Sequence, residues 1–276
     1  MRTWLITGSS SGLGLALGKA VVKAGDRVVA TARDTARLGE IGALDPERVL
    51  CLSLDVRDPA QIVATVTAAM ARFGRIDVLV NNAGHGYRAA VEEGDATEVR
   101  DLFETNFHGP VALIQAVLPA MRQRRSGHIV NVSSIVGRFA RPGSGYYSAT
   151  KFALEGLSDA LRGEVEPLGI AVTLVEPGQF RTDFAGRSLQ QSATKIGDYD
   201  LTAGPRRKEN DRTHGTQPGD PARAAEAILT AVASETPPFR LALGSDALRL
   251  IGAELEAQAD ELAAWAPLSA TTDFPQ

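Results

Sequence analysis

Short apolar runs alternate along the chain with longer segments in which apolar residues recur at helical spacing. The runs are WLIT, RVVAT, VLCLSLDV, DVLVNNAG, HIVNVSS, IAVTLVEPG and FRLALG. The helical segments are residues 13–24, 59–73, 97–124, 147–168 and 221–234. This alternation predicts βαβ units, and because the runs are apolar throughout, helices should cover both faces of a parallel sheet. We therefore predict one α/β domain over residues 1–276, with a doubly wound parallel sheet of about seven strands.

Two segments depart from this alternation. Residues 186–220 are polar, rich in glycine and proline and without clear periodicity, which predicts a long substrate loop that is functional or mobile. Residues 245–266 carry a helical stripe of apolar residues, including Leu248, Ile251 and Leu255, which predicts an extra C-terminal helix. This helix packs against its own domain, forms a subunit contact or covers the substrate pocket, and the pattern leaves these three roles open.

Residues 7–14, TGSSSGLG, follow the first predicted strand and open the first helix. Backbone N–H groups at such a helix N-terminus can hold a pyrophosphate, as in Rossmann-type folds. The predicted cofactor contacts in this loop are Gly8, Ser10, Ser11, Gly12, Leu13 and Gly14. The G-x-G-x-x-G pattern is broken by Leu17, so a glycine turn without a ligand is the alternative.

The end of the second strand indicates which dinucleotide is bound. Folds that select NAD place a carboxylate there against the ribose 2′-hydroxyl, whereas this chain has Ala32 and Arg33. An arginine fork suits a 2′-phosphate, so we predict NADP as the cofactor. Asp34 is the competing carboxylate, but its position before a polar helical stretch favours a helix cap.

Tyr147 and Lys151 are spaced to share one face of a helix, and Ser134 precedes them. A phenol has a pKa of about 10, and a nearby cation that stabilises its phenolate would make it a better proton shuttle near neutral pH. Ser134 would clamp a carbonyl. Tyr-x-x-x-Lys alone is common by chance, but its order after a glycine loop and an NNAG segment favours a catalytic set.

Composition and isolated residues exclude several classes of function. The formal net charge of −4 argues against a nucleic-acid partner. No apolar stretch approaches the roughly 20 residues of a membrane span, so we expect a cytoplasmic protein without a membrane partner. The lone Cys51 is expected to be a buried strand thiol, and the histidines His85, His108, His128 and His214 show no metal-ligand spacing, so no metal is predicted. Ser134 lacks the G-x-S-x-G elbow of a serine hydrolase.

TGxxxGxG, NNAG, a serine ahead of YxxxK and a following PG together resemble the short-chain dehydrogenase/reductases, and VEPGQFRTDF resembles hydroxysteroid-dehydrogenase-like members. The resemblance covers residues 1 to about 185. It implies that Tyr147 is the acid/base, that Lys151 holds the nicotinamide ribose and lowers the tyrosine pKa, and that Ser134 orients the substrate carbonyl. It further implies a water relay held by Asn106, and cofactor contacts from Asp55, Val56, Asn82, Ala83, Gly84, Pro177, Gly178 and Thr182.

We therefore expect an NADP-dependent oxidoreductase acting on a ketone, aldehyde or secondary alcohol, with a homodimer or homotetramer as its assembly. The alternative is an NADP-binding redox sensor without turnover, which would have no need of Ser134, Tyr147 and Lys151. A sugar-nucleotide epimerase or dehydratase would be expected to carry TGxxGxxG instead. Residues 186–220 start just after Thr182, so we expect them to form a lid, with Phe184, Leu189, Ile196, Tyr199 and Leu201 as the apolar side chains available to a substrate.

Overall fold

A seven-stranded parallel sheet dominates the protein, for which a computed structural model describes residues 1–186, 188–213 and 215–274. The strands of these residues are β1 (Thr3–Ile6), β2 (Arg27–Ala32), β3 (Val49–Ser53), β4 (Val78–Asn81), β5 (Gly86–Arg88), β6 (Gly127–Val132), β7 (Ile170–Pro177), β8 (Leu189–Gln191) and β9 (Arg240–Leu243). The large sheet has the order β3-β2-β1-β4-β6-β7-β9, and β5 pairs with β8 in a separate two-stranded sheet.

Helices follow the strands in the alternation that the sequence predicts. They are α1 (Gly12–Lys23), α2 (Gly39–Gly42), α3 (Pro59–Phe73), α4 (Ala96–Phe103), α5 (Gly109–Arg124), α6 (Gly145–Val165), α7 (Gly204–Thr213), α8 (Pro221–Ala233) and α9 (Ser245–Ala270). Among the described helices, none combines the length and apolar character that crossing a membrane requires.

Successive residues along a strand belong to two separate hydrophobic cores, one on each face of the sheet. Trp4 and Ile6 of β1 pack with residues of α1 and α8, including Leu17 and Ile228. Leu5 lies in the opposite core with residues of α3, α5 and α6. This division follows from the two-residue side-chain period of a strand. The prediction of a Rossmann-type, doubly wound parallel sheet with helices on both faces is therefore confirmed.

The strand order reverses between β1 and β4, which are neighbours in the sheet but distant in sequence. In open α/β sheets, ligands bind beyond the carboxyl ends of the strands at this reversal. The glycine loop leaves β1 at this point and the NNAG segment leaves β4 beside it. The fold therefore brings the two motifs together.

Three predicted segments differ in detail from the structure. The helix predicted over 97–124 is continuous but contains a π turn, Glu104–His108, between α4 and α5. The polar segment 186–220 is not simply a loop, because it contains β8 and α7, and its Gly219 forms a β-bridge with Phe180. Cys51 lies in β3 as expected but is only partly buried.

The C-terminal helix is present and runs to Ala270, four residues beyond its predicted end at 266. Its first turns pack against the rest of the protein, with Ala247 and Ile251 buried in a cluster that includes Tyr147. Its later part is solvent-exposed, and Leu262 and Trp265 are 73% and 61% exposed. The start of this helix therefore packs against its own domain, which is one of the three roles that the sequence left open. Leu250 of the same helix also lines the cleft described in the next section.

Candidate active site

A cleft of about 640 Å³ lies at the carboxyl ends of the strands. Of the residues predicted to form the site, those that line this cleft are Gly8, Ser10, Ser11, Gly12, Leu13, Arg33, Asp55, Val56, Asn82, Ala83, Gly84, Ser134, Tyr147, Lys151, Pro177, Gly178 and Thr182. Gly14 and Asn106 lie behind its wall. The structure therefore brings together residues from motifs that are more than 170 positions apart in the sequence.

The glycine loop forms a cradle at the N-terminus of α1. Gly8 has a φ of +70°, which L side chains rarely adopt. A Cβ atom on Gly14 would lie 2.4 Å from both Asn82 Nδ2 and the Gly8 carbonyl oxygen, so only glycine lets helix and loop approach this closely. Asn82 Nδ2 closes the turn by donating hydrogen bonds to the carbonyl oxygens of Thr7, at 2.8 Å, and Gly8, at 3.1 Å. The Ser11 side chain makes no cap hydrogen bond, so its hydroxyl is available to a ligand.

A basic surface follows β2 at the edge of the cleft. Arg33 lines it, and so does Arg37 of the short 3-10 turn Thr35–Leu38, which the sequence did not single out. Neither arginine forms an ion pair within the described part of the chain. Asp34 Oδ1 accepts a 3.0 Å hydrogen bond from Ala36 N and caps the turn, as predicted. Two guanidinium groups without a salt bridge to a described residue therefore lie at this edge, beside an Asp34 carboxylate that also lines the cleft and is engaged as the cap.

Asp55 is held in place by Arg57, two residues further along the chain. The sequence did not single out this arginine. Arg57 donates hydrogen bonds of 3.1 Å from Nε to Oδ1 and 2.8 Å from Nη2 to Oδ2. This bonding lowers the pKa of Asp55 below its usual value despite partial burial. The pair fixes the wall of the cleft where adenine contacts are expected.

Ser134, Tyr147 and Lys151 meet on the wall of the cleft. Ser134 follows β6, and Tyr147 and Lys151 lie in the first two turns of α6. Lys151 Nζ donates a 2.9 Å hydrogen bond to the Val132 carbonyl oxygen and lies 5.8 Å from the centre of the Tyr147 ring. Phe184 also packs against that ring, with centroids 5.8 Å apart. The helical spacing of Tyr147 and Lys151 thus places them side by side.

The titration of these groups differs from the sequence-based expectation. Burial raises the pKa of Tyr147 to about 12, although hydrogen bonding with Ser134 and the charges of Arg88 and Arg206 act in the opposite direction. Burial also lowers the pKa of Lys151 to about 8, opposed by the charge of Glu155. The charges that act to lower the pKa of Tyr147 come from Arg88 and Arg206, and burial outweighs them, so the pKa lies above its usual value. At neutral pH, Tyr147 therefore holds its proton and can act as an acid.

Asn106 supports the site from behind, in the π turn. Its Oδ1 accepts a 3.0 Å hydrogen bond from His85 N, and its Nδ2 donates to the His85 carbonyl oxygen at 2.9 Å. Nδ2 is also 3.2 Å from Thr150 Oγ1, which in turn donates to the Tyr147 carbonyl oxygen at 2.8 Å. Asn106 therefore links the strand β4 exit to the helix that carries Tyr147, and its role in a water relay stays a prediction.

The cleft is also lined by residues that the sequence analysis did not predict as part of the site. His85 lines it, and its buried Nε2 has no hydrogen-bond partner among the described residues. Arg88, Arg141, Gln190, Arg206, Gln217 and Leu250 also line the cleft. Only His85 and Arg88, close after the NNAG segment, could have been suspected from their position.

The remaining histidines that the structure describes, His108 and His128, do not belong to a metal centre. His128 is buried, bonded through Nε2 to Thr173 Oγ1 at 2.9 Å, and burial lowers its pKa to about 4. His108 is exposed, and His214 lies outside the described residues. Among the residues that the structure describes, no group of histidine, cysteine and acidic side chains could hold a metal ion.

Comparisons with known proteins agree with this geometry. A family model described as short chain dehydrogenase matches residues 2–193. The oxidoreductase BOA17 of Botryotinia fuckeliana is 40% identical over 271 residues, covering 97% of this chain and 98% of its own length. A short-chain dehydrogenase from Streptomyces avermitilis has a crystal structure that superposes with a TM-score of 0.93 at 45% identity, covering 99% of this chain and 98% of its own.

A serine dehydrogenase complexed with NADP⁺, in its closed form, superposes with a TM-score of 0.75 at 26% identity. It covers 88% of this chain, and 94% of its own chain is matched. The family model and the relatives extend over the glycine loop, Ser134, Tyr147 and Lys151. The chain belongs to the short-chain dehydrogenase family and is an oxidoreductase of that family.

Proposed function

We propose that the protein is an NADP-dependent oxidoreductase that interconverts a ketone or aldehyde with the corresponding alcohol, with Tyr147 as the acid/base. The observation that carries this proposal is the convergence of Ser134, Tyr147 and Lys151 on a cleft that also contains the glycine cradle. Ser10, Ser11 and Gly12 line the cleft at the N-terminus of α1, and the Ser11 hydroxyl makes no cap bond, which fits a pyrophosphate approaching the backbone N–H groups.

The residues that would hold the cofactor follow the length of the cleft. Ser10, Ser11, Gly12 and Leu13 would hold the pyrophosphate, Asp55 and Val56 the adenine, and Pro177, Gly178 and Thr182 the nicotinamide end. When bound, a reduced nicotinamide supplies a hydride to a carbonyl carbon.

The protein's own residues would supply the proton and the orientation. Hydride addition converts the carbonyl oxygen into an alkoxide, which must be stabilised as its charge develops. Tyr147 would donate its phenolic proton to that oxygen, and the Ser134 hydroxyl would donate a hydrogen bond to it. The Lys151 ammonium would then stabilise the tyrosinate that remains. The raised pKa of Tyr147 leaves the phenol protonated at neutral pH, which is the form that carbonyl reduction requires.

The choice of NADP rests on the surface after β2. Solved relatives of this fold are described in complex with NADP⁺ or with NAD, so the fold alone does not decide the cofactor. Here Ala32 leaves room, Arg33 and Arg37 line the cleft and form no salt bridge with a carboxylate in the described residues, and Asp34 is engaged as a cap. A 2′-phosphate would meet two guanidinium groups at this place.

The test is a panel of ketones, aldehydes and secondary alcohols, followed by NADPH and NADH absorbance. We expect turnover with NADPH for at least one carbonyl compound, and tighter binding of NADPH than of NADH in equilibrium titrations. A protein that binds NADPH but turns over no member of the panel would instead support the alternative of a redox sensor.

A further inference from the structure

Three arginines gather in the cleft beside Tyr147. Arg88 is in β5, Arg141 follows the 3-10 turn Ile135–Gly137, and Arg206 is in α7, and all three line the cleft. Arg88 Nη1 donates to Ser144 Oγ, and Arg206 Nε donates to the same oxygen at 3.3 Å. A single buried hydroxyl thus joins two guanidinium groups, and we call the three arginines the basic cluster.

The basic cluster is costly to the folded protein. Arg88 is only 8% exposed, and its buried Nε has no hydrogen-bond partner among the described residues. Within that part of the chain, neither Arg88 nor Arg141 forms an ion pair with a carboxylate. A buried guanidinium without a counter-charge is unfavourable, and neighbouring like charges add to the cost.

Electrostatics supports the same interpretation. Burial lowers the pKa of Arg88 to about 10. Burial, followed by the charges of Arg88 and Arg141, lowers the pKa of Arg206 to about 9. Arg88 and Arg141, which form no ion pair in the described residues, would be stabilised by an anion that arrives with a ligand.

The position of the basic cluster relates that anion to the reacting group. The charges of Arg88 and Arg206 act on Tyr147, so the cluster is near the phenol that would protonate the substrate. Phe184, Leu189 and Leu250 provide apolar walls in the same cleft. Under the proposed function, the cofactor phosphates would be held elsewhere, at the glycine loop and after β2. The cleft is therefore suited to a molecule with a carbonyl group, an apolar part and an anionic group.

We propose that the basic cluster binds an anionic group of the substrate, so that the substrate is an oxo acid or a phosphorylated ketone, or the corresponding alcohol, rather than a neutral carbonyl compound. The assignment as a substrate rests on the proposed function, whereas binding of the anion does not. Arg88 supplies the central, buried contact, and Arg141 and Arg206 supply further charge.

A competing explanation is that the basic cluster acts only on Tyr147, by stabilising its phenolate. The two explanations differ in one measurable respect. If the arginines act only on Tyr147, their loss should weaken the reaction of an anionic substrate and of its neutral ester equally. If they bind the anion, their loss should remove the discrimination between acid and ester.

The experiment uses the isomeric oxohexanoates, each paired with its methyl ester, and hydroxyacetone phosphate paired with hydroxyacetone. Binding to the protein saturated with NADP⁺ is measured by calorimetry, and reduction is followed with NADPH. The variants are Arg88→Met and Arg141→Gln, the second because Arg141 is only partly buried and its loss should not disturb folding. Arg223→Gln is the matched control, since this arginine lies in α8 with its side chain 87% exposed.

We expect at least one anionic probe to bind about tenfold or more tightly than its neutral counterpart. Arg88→Met and Arg141→Gln should reduce that ratio towards one without changing NADP⁺ affinity, and Arg223→Gln should leave the ratio intact. Comparison of the oxohexanoate pairs with the hydroxyacetone phosphate pair shows whether the basic cluster prefers a carboxylate or a phosphate.

Equal binding of every anionic probe and its neutral counterpart would overturn the proposal, as would a preference that survives in both cleft variants. Reduction of neutral esters without any preference for acids would remove the anionic substrate and leave hydride transfer standing. Anion binding that depends on Arg88, without turnover of any carbonyl compound, would support the basic cluster as an anion site and remove the proposed reaction.

Discussion

Lys151 and Glu155 lie one turn apart in α6 and are buried together, at 6% and 5% exposure. The Glu155 carboxylate raises the pKa of Lys151 against the larger opposing effect of burial, which brings it to about 8. Glu155 also accepts a 3.1 Å hydrogen bond from Arg240 Nε. The pKa of the lysine therefore depends in part on a residue that does not line the cleft.

Replacing Glu155 by glutamine should move the alkaline limb of the pH profile to lower pH. Lys151 would stabilise the tyrosinate only while protonated, so reduction should decline as pH rises through the lysine pKa, near 8 in the parent protein. Without the Glu155 charge, that pKa should fall further. The measurement is kcat/KM for reduction between pH 6 and pH 10, with stability of each variant checked by thermal unfolding.

Asp159→Asn is the matched control for this prediction. Asp159 lies one turn further along α6 and approaches the same Arg240, at 3.7 Å, but its side chain is 63% exposed. Its loss should leave the alkaline limb in place. The same shift in both variants would mean that Arg240, and not Glu155, acts on the lysine.

Tyr147→Phe should reduce turnover by about a hundredfold or more while leaving NADPH affinity within about twofold, because proton transfer by a positioned acid contributes 10²–10⁴-fold. Steady-state kinetics and NADPH titration provide the two numbers. Tyr146→Phe is the control, since this neighbour donates its hydroxyl to the Val91 carbonyl oxygen at 2.5 Å and does not line the cleft. Retention of most of kcat in Tyr147→Phe would remove the proton-donor assignment.

Arg33→Ala should weaken NADPH binding about tenfold to a hundredfold and leave NADH binding nearly unchanged. A charge-assisted hydrogen bond to the 2′-phosphate is worth roughly 1.5–3 kcal/mol, and NADH lacks that group. Arg37→Ala should show the same selectivity to a smaller degree if both arginines contact the phosphate. Titration of both cofactors into each variant tests this, and an equal loss for NADPH and NADH would show that neither arginine recognises the phosphate.

Glu93→Gln should loosen the segment 188–213 and raise the KM for the carbonyl substrate. Glu93 is buried, forms an ion pair with Arg207 of α7, and accepts a 2.8 Å hydrogen bond from Ile196 N. Breaking a buried pair on one side typically costs about 3–5 kcal/mol. Hydrogen exchange over residues 188–213 should therefore become faster in the variant.

The control is Glu92→Gln, because Glu92 also contacts the segment, through a 2.6 Å hydrogen bond from Tyr199 OH, but at the exposed surface. Loss of this exposed contact should change hydrogen exchange over residues 188–213 and the KM only slightly. In the parent protein, exchange over 188–213 should slow when cofactor and substrate are both bound, as expected of a lid. Unchanged protection in that complex would rule out the lid, and equal acceleration in both variants would rule out the buried pair as its anchor.

The sequence predicts the parts of this molecule that depend on neighbouring residues. The glycine loop, the capping role of Asp34 and the pairing of Tyr147 with Lys151 each follow from local spacing, and the structure brings the predicted site residues to one cleft with Gly14 and Asn106 behind it. The seven strands follow from apolar runs bounded by turns.

The parts that depend on distant contacts could not be predicted. The basic cluster combines one residue of β5, one residue that precedes α6 and one residue of α7. Only tertiary packing brings these three together. Helix α7, GPRRKENDRT, has no apolar stripe, and contacts such as the ion pair of Arg207 with Glu93 hold it in place. Of the five apolar side chains expected to line a lid, Phe184 and Leu189 reach the cleft, whereas Leu201 is 93% exposed. The pKa of Tyr147 depends on its burial, which spacing does not reveal.

The most direct test of the central claim is the fate of the transferred hydrogen. NADPH carrying deuterium at the reactive carbon of the nicotinamide is incubated with the protein and a carbonyl compound that it reduces, and the alcohol is analysed by mass spectrometry and NMR. Hydride transfer with Tyr147 as the acid predicts one deuterium on the former carbonyl carbon, a hydroxyl proton that comes from solvent, and loss of this labelled product in Tyr147→Phe. An alcohol without deuterium on that carbon, or equal labelling by Tyr147→Phe at the parent rate, would contradict it.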